Sequence, residues 1–122
     1  MIRLGVVADP QYADSDDGAQ FGSPERVRYY RNSLCILDKA FEAFEASSTH
    51  HNIVLGDILD AKTKRNGDTA ACMKRVIDTI ENHIGDSDQD TEKVTFVCGN
   101  HDFFNFTREA IFNLKFFVFK KG

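Results

Sequence analysis

Residues 94–102 read Val-Thr-Phe-Val-Cys-Gly-Asn-His-Asp, and the change from apolar to polar side chains within this stretch indicates how the chain folds. Val94 to Cys98 is a short apolar run rich in β-branched side chains, which predicts a strand. Gly99 ends the strand because glycine permits a tight turn. Three polar side chains follow directly, and packing does not explain that choice. We therefore expect a functional loop at the end of this strand.

Two further strands of the same kind precede it in the sequence. Ile2 to Ala8 is followed by Asp9-Pro10-Gln11, and Asn52 to Leu55 is followed by Gly56-Asp57-Ile58-Leu59-Asp60. Segments with helical periodicity separate the three strands, which predicts parallel pairing with right-handed crossovers. The sequence therefore indicates an α/β fold of layered βαβ units, with no internal repeat.

The spacing of apolar side chains predicts two long helices between the strands. The first is predicted from Ser23-Pro24, an N-cap and first-turn pair, to Ser47. Its apolar stripe is Val27, Tyr30, Leu34, Leu37, Phe41 and Phe44. The second is predicted to start at a capping Asp68 and to end at Gly85. We expect polar loops at residues 62–67 and 86–92, and a last short helix capped by Thr107.

Length and charge limit the classes of protein. The 122 residues carry 15 basic and 19 acidic side chains, a net charge of −4, which fits one domain over residues 1–122. This balance argues against nucleic-acid and membrane-surface binding, and no apolar run reaches the roughly 20 residues of a membrane span. We expect a soluble cytoplasmic protein of undetermined oligomeric state. Cys35, Cys72 and Cys98 are predicted to be buried free thiols.

The polar side chains that follow the three strands point to one site. Carboxyl ends of parallel strands form a common edge where ligands bind, so Asp9, Gln11, Asp57, Asn100 and His101 should converge. Two carboxylates, two carboxamides and an imidazole suit Mn²⁺ or Mg²⁺ better than a thiolate zinc site. Two such ions about 3.5–4 Å apart generate a hydroxide and clamp a phosphoryl group. Hydrolysis of a phosphoester or phosphoanhydride is the chemistry this set favours.

The order of the three motifs resembles a known superfamily. D-x-Q, G-D-x-x-D and G-N-H-D follow the pattern of the calcineurin-like metallophosphoesterases, which opens with D-x-H. Gln11 stands in place of that histidine, and this departure resembles the manganese-dependent ADP-ribose/CDP-alcohol diphosphatase branch. The sequences at 9–14, 28–34 and 100–106 are similar to that branch as well. The resemblance covers residues 5 to about 108 and implies a catalytic domain built as a sandwich of two sheets.

The resemblance also implies roles for individual residues. Asp9 and Gln11 would bind the first metal ion, Asp57 would bridge two ions, and Asn100 would bind the second. The ions would be Mn²⁺, with Mg²⁺ or Fe²⁺ as alternatives that the oxygen ligands also accept. His101 would contact the phosphate or protonate the leaving group, while Asp60 orients its ring. The implied substrate is a small nucleotide such as ADP-ribose or CDP-choline, cleaved at its pyrophosphate bond.

The superfamily pattern continues with a further histidine and a G-H-x-H motif that this sequence lacks. None of His50, His51 and His83 follows the carboxyl end of a predicted strand, so these histidines do not replace the missing ligands. The chain therefore resembles the N-terminal part of a longer domain, and the phenylalanine-rich segment 112–119 is where a cover would begin. The alternative is a truncated, catalytically incompetent fragment that acts at most as a metal-binding or interaction module.

Other polar groups have simpler explanations. Asp14, Asp16 and Asp17 are predicted to form a solvated acidic loop, and Arg28 and Arg31 to be surface charges rather than phosphate ligands.

Overall fold

The computed structural model describes residues 1–20 and 23–117. The elements follow in the order β1 (Leu4–Ala8), β2 (Gly18–Gln20), β3 (Ser23–Arg28), α1 (Asn32–Ala46), β4 (His51–Leu55), α2 (Lys62–Asn66), α3 (Thr69–Ile84), α4 (Asp88–Thr91), β5 (Val94–Val97), α5 (Asn100–Asn105) and α6 (Arg108–Phe112).

A three-stranded parallel sheet with the order β1-β4-β5 forms the centre of the fold. All three predicted strands are present, and their pairing is parallel as expected. Helices α1 and α3 contact each other, and α1 also packs on β1. The α/β class predicted from the sequence is confirmed.

The sheet is buried on one face only. On the helix side, Val54 and Phe96 are paired in register and almost completely buried. On the other side the apolar side chains of Leu4, Val6, Leu55 and Val97 are about half exposed. The described residues therefore contain this sheet and one hairpin, and they do not complete the two-sheet sandwich that the resemblance implies.

The predicted start of the first helix at Ser23 is wrong. Ser23–Arg28 forms β3, which pairs antiparallel with β2 in a hairpin. Proline is tolerated in such a two-stranded ribbon, where one edge needs no backbone donor, so Pro24 does not require a helix. Val27 is 49% exposed and does not belong to the helix stripe. The helix begins at Asn32, and from there its predicted stripe is correct, with Leu37 and Phe41 buried.

The second long helix agrees closely with its prediction. Asp68 occupies the N-cap position of α3, although its side chain makes no capping hydrogen bond, and Gly85 is the C-cap. Thr107 caps α6 by accepting a hydrogen bond from the backbone N–H of Ala110. The loops predicted at 62–67 and 86–92 are wrong in part, since they contain the short helices α2 and α4.

The hydrophobic core lies between the sheet and helices α1 and α3. Cys72 belongs to this core, and Cys98 is half-buried. Cys35 is exposed, so its predicted burial is wrong. Cys35 follows Leu34 directly, so it lies about 100° around the helix from the apolar stripe. At the other end of the chain, Phe116 is buried against Phe96. Phe119, part of the segment expected to need a cover, lies outside the described residues.

None of the helices in the described ranges is long and apolar enough to span a bilayer.

Candidate metal and phosphate site

The loops that follow β1 and β4 continue the parallel pairing of their strands. The backbone N–H of Gln11 donates to the carbonyl of Asp57 at 2.9 Å, and that of Tyr12 donates to Ile58 at 3.1 Å. The N–H of Asp60 returns a bond to the carbonyl of Tyr12 at 2.9 Å. The backbone therefore places Gln11 beside Asp57, as the strand-end argument predicts.

Three of the four predicted metal ligands have left-handed backbone conformations. The φ angles are 49° for Asp9, 47° for Gln11 and 49° for Asp57. Such conformations are uncommon outside glycine and cost about 1–3 kcal/mol each, and they cluster at functional sites. Aspartate tolerates this region, but Gln11 has no comparable local advantage. The strain at these positions is independent of the motif and marks the same site.

Asp102 holds the third loop against the second. Its buried carboxylate accepts hydrogen bonds from the backbone N–H groups of Asp57 and Gly99, both at 2.8 Å, and of Ile58 at 2.9 Å. Burial raises the pKa of the Asp102 carboxyl, while the three donations oppose that change. No individual role was predicted for Asp102. Its position three residues after the N-cap Gly99 is the signal that was available, because an acidic side chain there is typical of a capping box.

The second and third loops approach so closely that two glycines are required. A Cβ on Gly56, whose φ is +69°, would lie 2.8 Å from the backbone nitrogen of Gly99. A Cβ on Gly99 would lie 2.1 Å from Oδ1 of Asp57. The glycines of G-D-x-x-D and G-N-H-D therefore allow the loops that carry Asp57 and Asn100 to approach each other.

The segments that carry Gln11 and His101 both reach Asp57 through their backbone N–H groups. Its Oδ1 accepts a hydrogen bond from the backbone N–H of His101 at 2.9 Å. Asn100 is exposed at the start of α5, next to His101. Asp9 and Gln11 line a shared cavity of about 260 Å³. The structure thus brings the Gln11, Asp57 and His101 segments into direct contact, with Asp9 and Asn100 adjoining them.

Among the described residues, Asp60 makes no hydrogen bond to the ring of His101, unlike the pairing that the resemblance implies. Its Oδ2 accepts a hydrogen bond from Nη1 of Arg28 at 3.1 Å, and its Oδ1 accepts from the backbone N–H of Lys62 at 2.9 Å. Nδ1 of His101 is buried and has no hydrogen-bond partner among the described residues. The hydrogen-bond partner of the Asp60 carboxylate is therefore the guanidinium of Arg28 and not the ring of His101.

Arg28 is not the simple surface charge that the sequence predicted. The same Nη1 donates to Oε1 of Gln11 at 2.8 Å, so one cation joins a predicted metal ligand to Asp60. Arg28 and Tyr30 border both the first cavity and a second one of about 400 Å³ that contains Asp60 and His101. By contrast, Arg31 pairs with Asp14 and Asp16 away from these ligands, as a surface charge should.

The donors fit a hard divalent ion in kind but not in number. Carboxylate and amide oxygens are suitable ligands for Mn²⁺ or Mg²⁺, and Oε1 of Gln11 already accepts from a cationic group. Within the described ranges, however, no three His, Cys, Asp or Glu side chains converge on one point. Four side chains supply only part of the coordination of two such ions and leave the other positions to water, substrate oxygens or other ligands.

The remaining histidines and the nearest cysteine do not add ligands. His50 accepts from the backbone of Arg3, His51 contacts Thr95, and His83 contacts Asp38. Burial raises the pKa of Cys98 to about 11, so its thiol is neutral near pH 7.

A small buried network fixes the loop that carries Asp60. Asn105 in α5 donates from Nδ2 to the carbonyls of Leu59 and Asp60 at 3.1 and 3.2 Å. Its Oδ1 accepts from the hydroxyl of Thr63. This residue was not singled out as a site residue, although it lies within the segment 100–106 that the resemblance includes.

Comparisons with known proteins agree with these features. The curated manganese-dependent ADP-ribose/CDP-alcohol diphosphatase of Bos taurus is 35% identical over 117 residues, which are 94% of this chain and 32% of that protein. The Arabidopsis thaliana protein of the same name is 34% identical, over 93% of this chain and 34% of that protein. A crystal structure of a dimetal phosphatase from Danio rerio superposes with a TM-score of 0.80 at 30% identity. That match covers 93% of this chain and 33% of the other. No family model matches the chain.

The described elements share the α/β fold of part of a dimetal phosphatase, over about a third of that protein's length. In sequence, nine tenths of the chain is similar to proteins named manganese-dependent ADP-ribose/CDP-alcohol diphosphatase. The resemblance stated from the motifs is thereby confirmed. The chain spans about a third of the length of the curated relatives it matches.

Proposed function

We propose that this chain carries part of the metal site of a phosphohydrolase that cleaves the pyrophosphate bond of nucleoside diphosphate-linked compounds. ADP-ribose and CDP-alcohols such as CDP-choline are the substrates that the relatives' names suggest. The single observation that carries the proposal is the convergence of Gln11, Asp57 and the G-N-H-D loop through backbone contacts.

Asp9, Gln11, Asp57 and Asn100 would hold the divalent ions, for which Mn²⁺ is the first choice. When bound, such ions polarise a phosphoryl group and offset its negative charge. The chain's own residues prepare the site. Asp102 fixes the backbone of Asp57, and the backbone N–H of His101 orients the carboxylate of Asp57.

His101 is the proposed group that contacts the phosphate or protonates the leaving oxygen. It borders the larger cavity together with Arg28, so a phosphate there would meet both groups. An imidazole that lies against the leaving oxygen can donate a proton to it. The role of Asp60 is proposed to be indirect, since it holds Arg28 at the edge of the same cavity.

The test is turnover by the purified chain. ADP-ribose and CDP-choline are incubated with the chain and Mn²⁺, and release of nucleoside monophosphate is followed by chromatography. Asp57→Asn should abolish release, because it removes a charged ligand. Asp78→Asn is the matched control, since Asp78 lies on the surface of α3 and pairs with Lys74. Equal release by wild type and Asp57→Asn would refute the proposed role of Asp57.

A second candidate is a chain that binds metal weakly and acts through another polypeptide. The half-exposed apolar face of the sheet and the incomplete ligand set favour it. Absence of turnover, together with Mn²⁺ binding that Asp57→Asn weakens, would support this candidate. Three further expectations stay predictions: one domain over residues 1–122, a cytoplasmic location, and a small nucleotide rather than a nucleic acid as the partner.

A further inference from the structure

The larger cavity next to His101 carries positive charge that the proposed metal site does not use. It measures about 400 Å³, and the charged side chains that line it, beside His101, are Arg28, Asp60, Lys62 and Arg65. The one carboxylate in this lining, Asp60, is already paired with Arg28 at 3.1 Å. The charges of Lys62 and Arg65 therefore remain uncompensated in the cavity.

Neither of these two cations has a carboxylate partner within the described ranges. Lys62 lies with its Nζ 4.8 Å from the centre of the Tyr30 ring, which fixes the ammonium at the cavity wall. Elsewhere, Arg31 and Arg75 each reach an aspartate oxygen within 3.0 Å. In a chain with a net charge of −4, two unpaired cations beside one polar cavity attract an anion to that place.

The position of the cavity indicates which anion. It adjoins the candidate metal ligands, because Arg28 and Tyr30 border both cavities. An anion seated at Lys62 and Arg65 would therefore lie next to a phosphoryl group held beside His101 and the metal ligands. Two neighbouring phosphates joined by one oxygen match this arrangement.

We propose that Lys62 and Arg65 bind the second phosphate of a diphosphate group, the one that is not attacked. This inference rests on the proposed function and names the residues that would make the site prefer diphosphates to monophosphates. Arginine and lysine both form charge-assisted hydrogen bonds with phosphate oxygens, and these bonds are stronger than neutral ones.

The probe is inorganic pyrophosphate, compared with inorganic phosphate, titrated calorimetrically into the metal-free chain. The wild type should bind pyrophosphate more tightly than phosphate. The double variant Lys62→Met/Arg65→Met should bind pyrophosphate about tenfold more weakly, a loss of about 1.4 kcal/mol, and should lose the preference. Lys64→Met is the matched control, because Lys64 lies on the same helix and donates to the carbonyl of Phe104 outside this cavity.

Three results would overturn the proposal. They are no pyrophosphate binding by the wild type at millimolar concentration, unchanged affinity in the double variant, or an equal loss in Lys64→Met. A parallel Mn²⁺-dependent assay with ADP-ribose separates the two hypotheses. Pyrophosphate binding through Lys62 and Arg65 without turnover would refute the proposed hydrolysis alone, whereas turnover with an unchanged KM in the double variant would refute the phosphate site alone.

Discussion

Replacing Gly99 by alanine tests whether close contact between two loops positions the candidate metal ligands. The backbone itself permits alanine, because the φ angle of Gly99 is −101°. The new Cβ, however, would lie 2.1 Å from Oδ1 of Asp57 and 2.7 Å from its backbone nitrogen. Ordinary contacts begin at 3.4 Å, so the oxygen must move by about 1.3 Å and the nitrogen by about 0.7 Å. Overpacking of this kind costs about 1–3 kcal/mol.

Two measurements follow the consequences of Gly99→Ala. Urea unfolding should show the loss of about 1–3 kcal/mol in the free energy of unfolding. Calorimetric titration with Mn²⁺ should show affinity weakened about 10–100-fold, which is the usual effect of disturbing the groups that support a ligand. A displacement of the Asp57 atoms by about 1 Å is enough to disturb the geometry of a ligand site.

Gly18→Ala provides the matched control for this substitution. A Cβ on Gly18 would meet its nearest neighbour, Cε2 of Tyr30, at 3.7 Å, which is an ordinary contact. This variant should unfold within about 0.5 kcal/mol of wild type. The reasoning is refuted if Gly99→Ala matches wild type in both unfolding and Mn²⁺ affinity, or if Gly18→Ala loses as much as Gly99→Ala.

Two further substitutions examine the groups that hold the fold around the site. Asp102→Asn keeps the shape of the side chain but replaces one acceptor oxygen by an NH₂ group, which then faces a backbone N–H. The free energy of unfolding, measured in urea, should therefore fall by about 1–3 kcal/mol. An unchanged value would contradict the role of the three hydrogen bonds. For His83, burial lowers the pKa, but hydrogen bonds to Asp38 and Glu45 outweigh it and raise the pKa above its ordinary value of 6.5. The protonated ring therefore stabilises the folded chain fully below pH 6.5, and this contribution is lost as the pH rises through the raised pKa. The stability difference between wild type and His83→Gln should shrink from pH 5.5 to pH 8.5, and a difference that grows over this range would contradict the assignment.

The strand ends could be predicted from the sequence because their signals are local. An apolar β-branched run followed by glycine and polar residues marks a strand end, and parallel strands bring such ends to one edge. The hairpin at Ser23–Arg28 could not be predicted in this way. Ser-Pro is a normal helix start, and only pairing with Gly18–Gln20 makes this segment a strand.

The side-chain partners of the site were harder to predict than its location. Arg28 belongs to the hairpin that the sequence did not reveal, so its contacts with Gln11 and Asp60 could not be expected. Whether Asp60 binds the ring of His101 depends on the directions of both side chains. The motif gives only the order of the two residues along the chain. Long-range contacts of this kind depend on the packing of whole elements, and no local pattern in the sequence encodes them.

Backbone hydrogen bonds arrange the segments that carry the candidate ligands. Gln11 reaches Asp57 through a main-chain hydrogen bond of 2.9 Å, and the backbone N–H of His101 binds the carboxylate of Asp57. Three ligand positions nevertheless have left-handed φ angles near 48°, a conformation that costs free energy for residues other than glycine. Packing does not explain the left-handed conformation of Asp9, because this residue is exposed and does not belong to the hydrophobic core. The strain is consistent with selection for the direction of the side chains, and it supports a functional role for the D-x-Q loop independently of any relative.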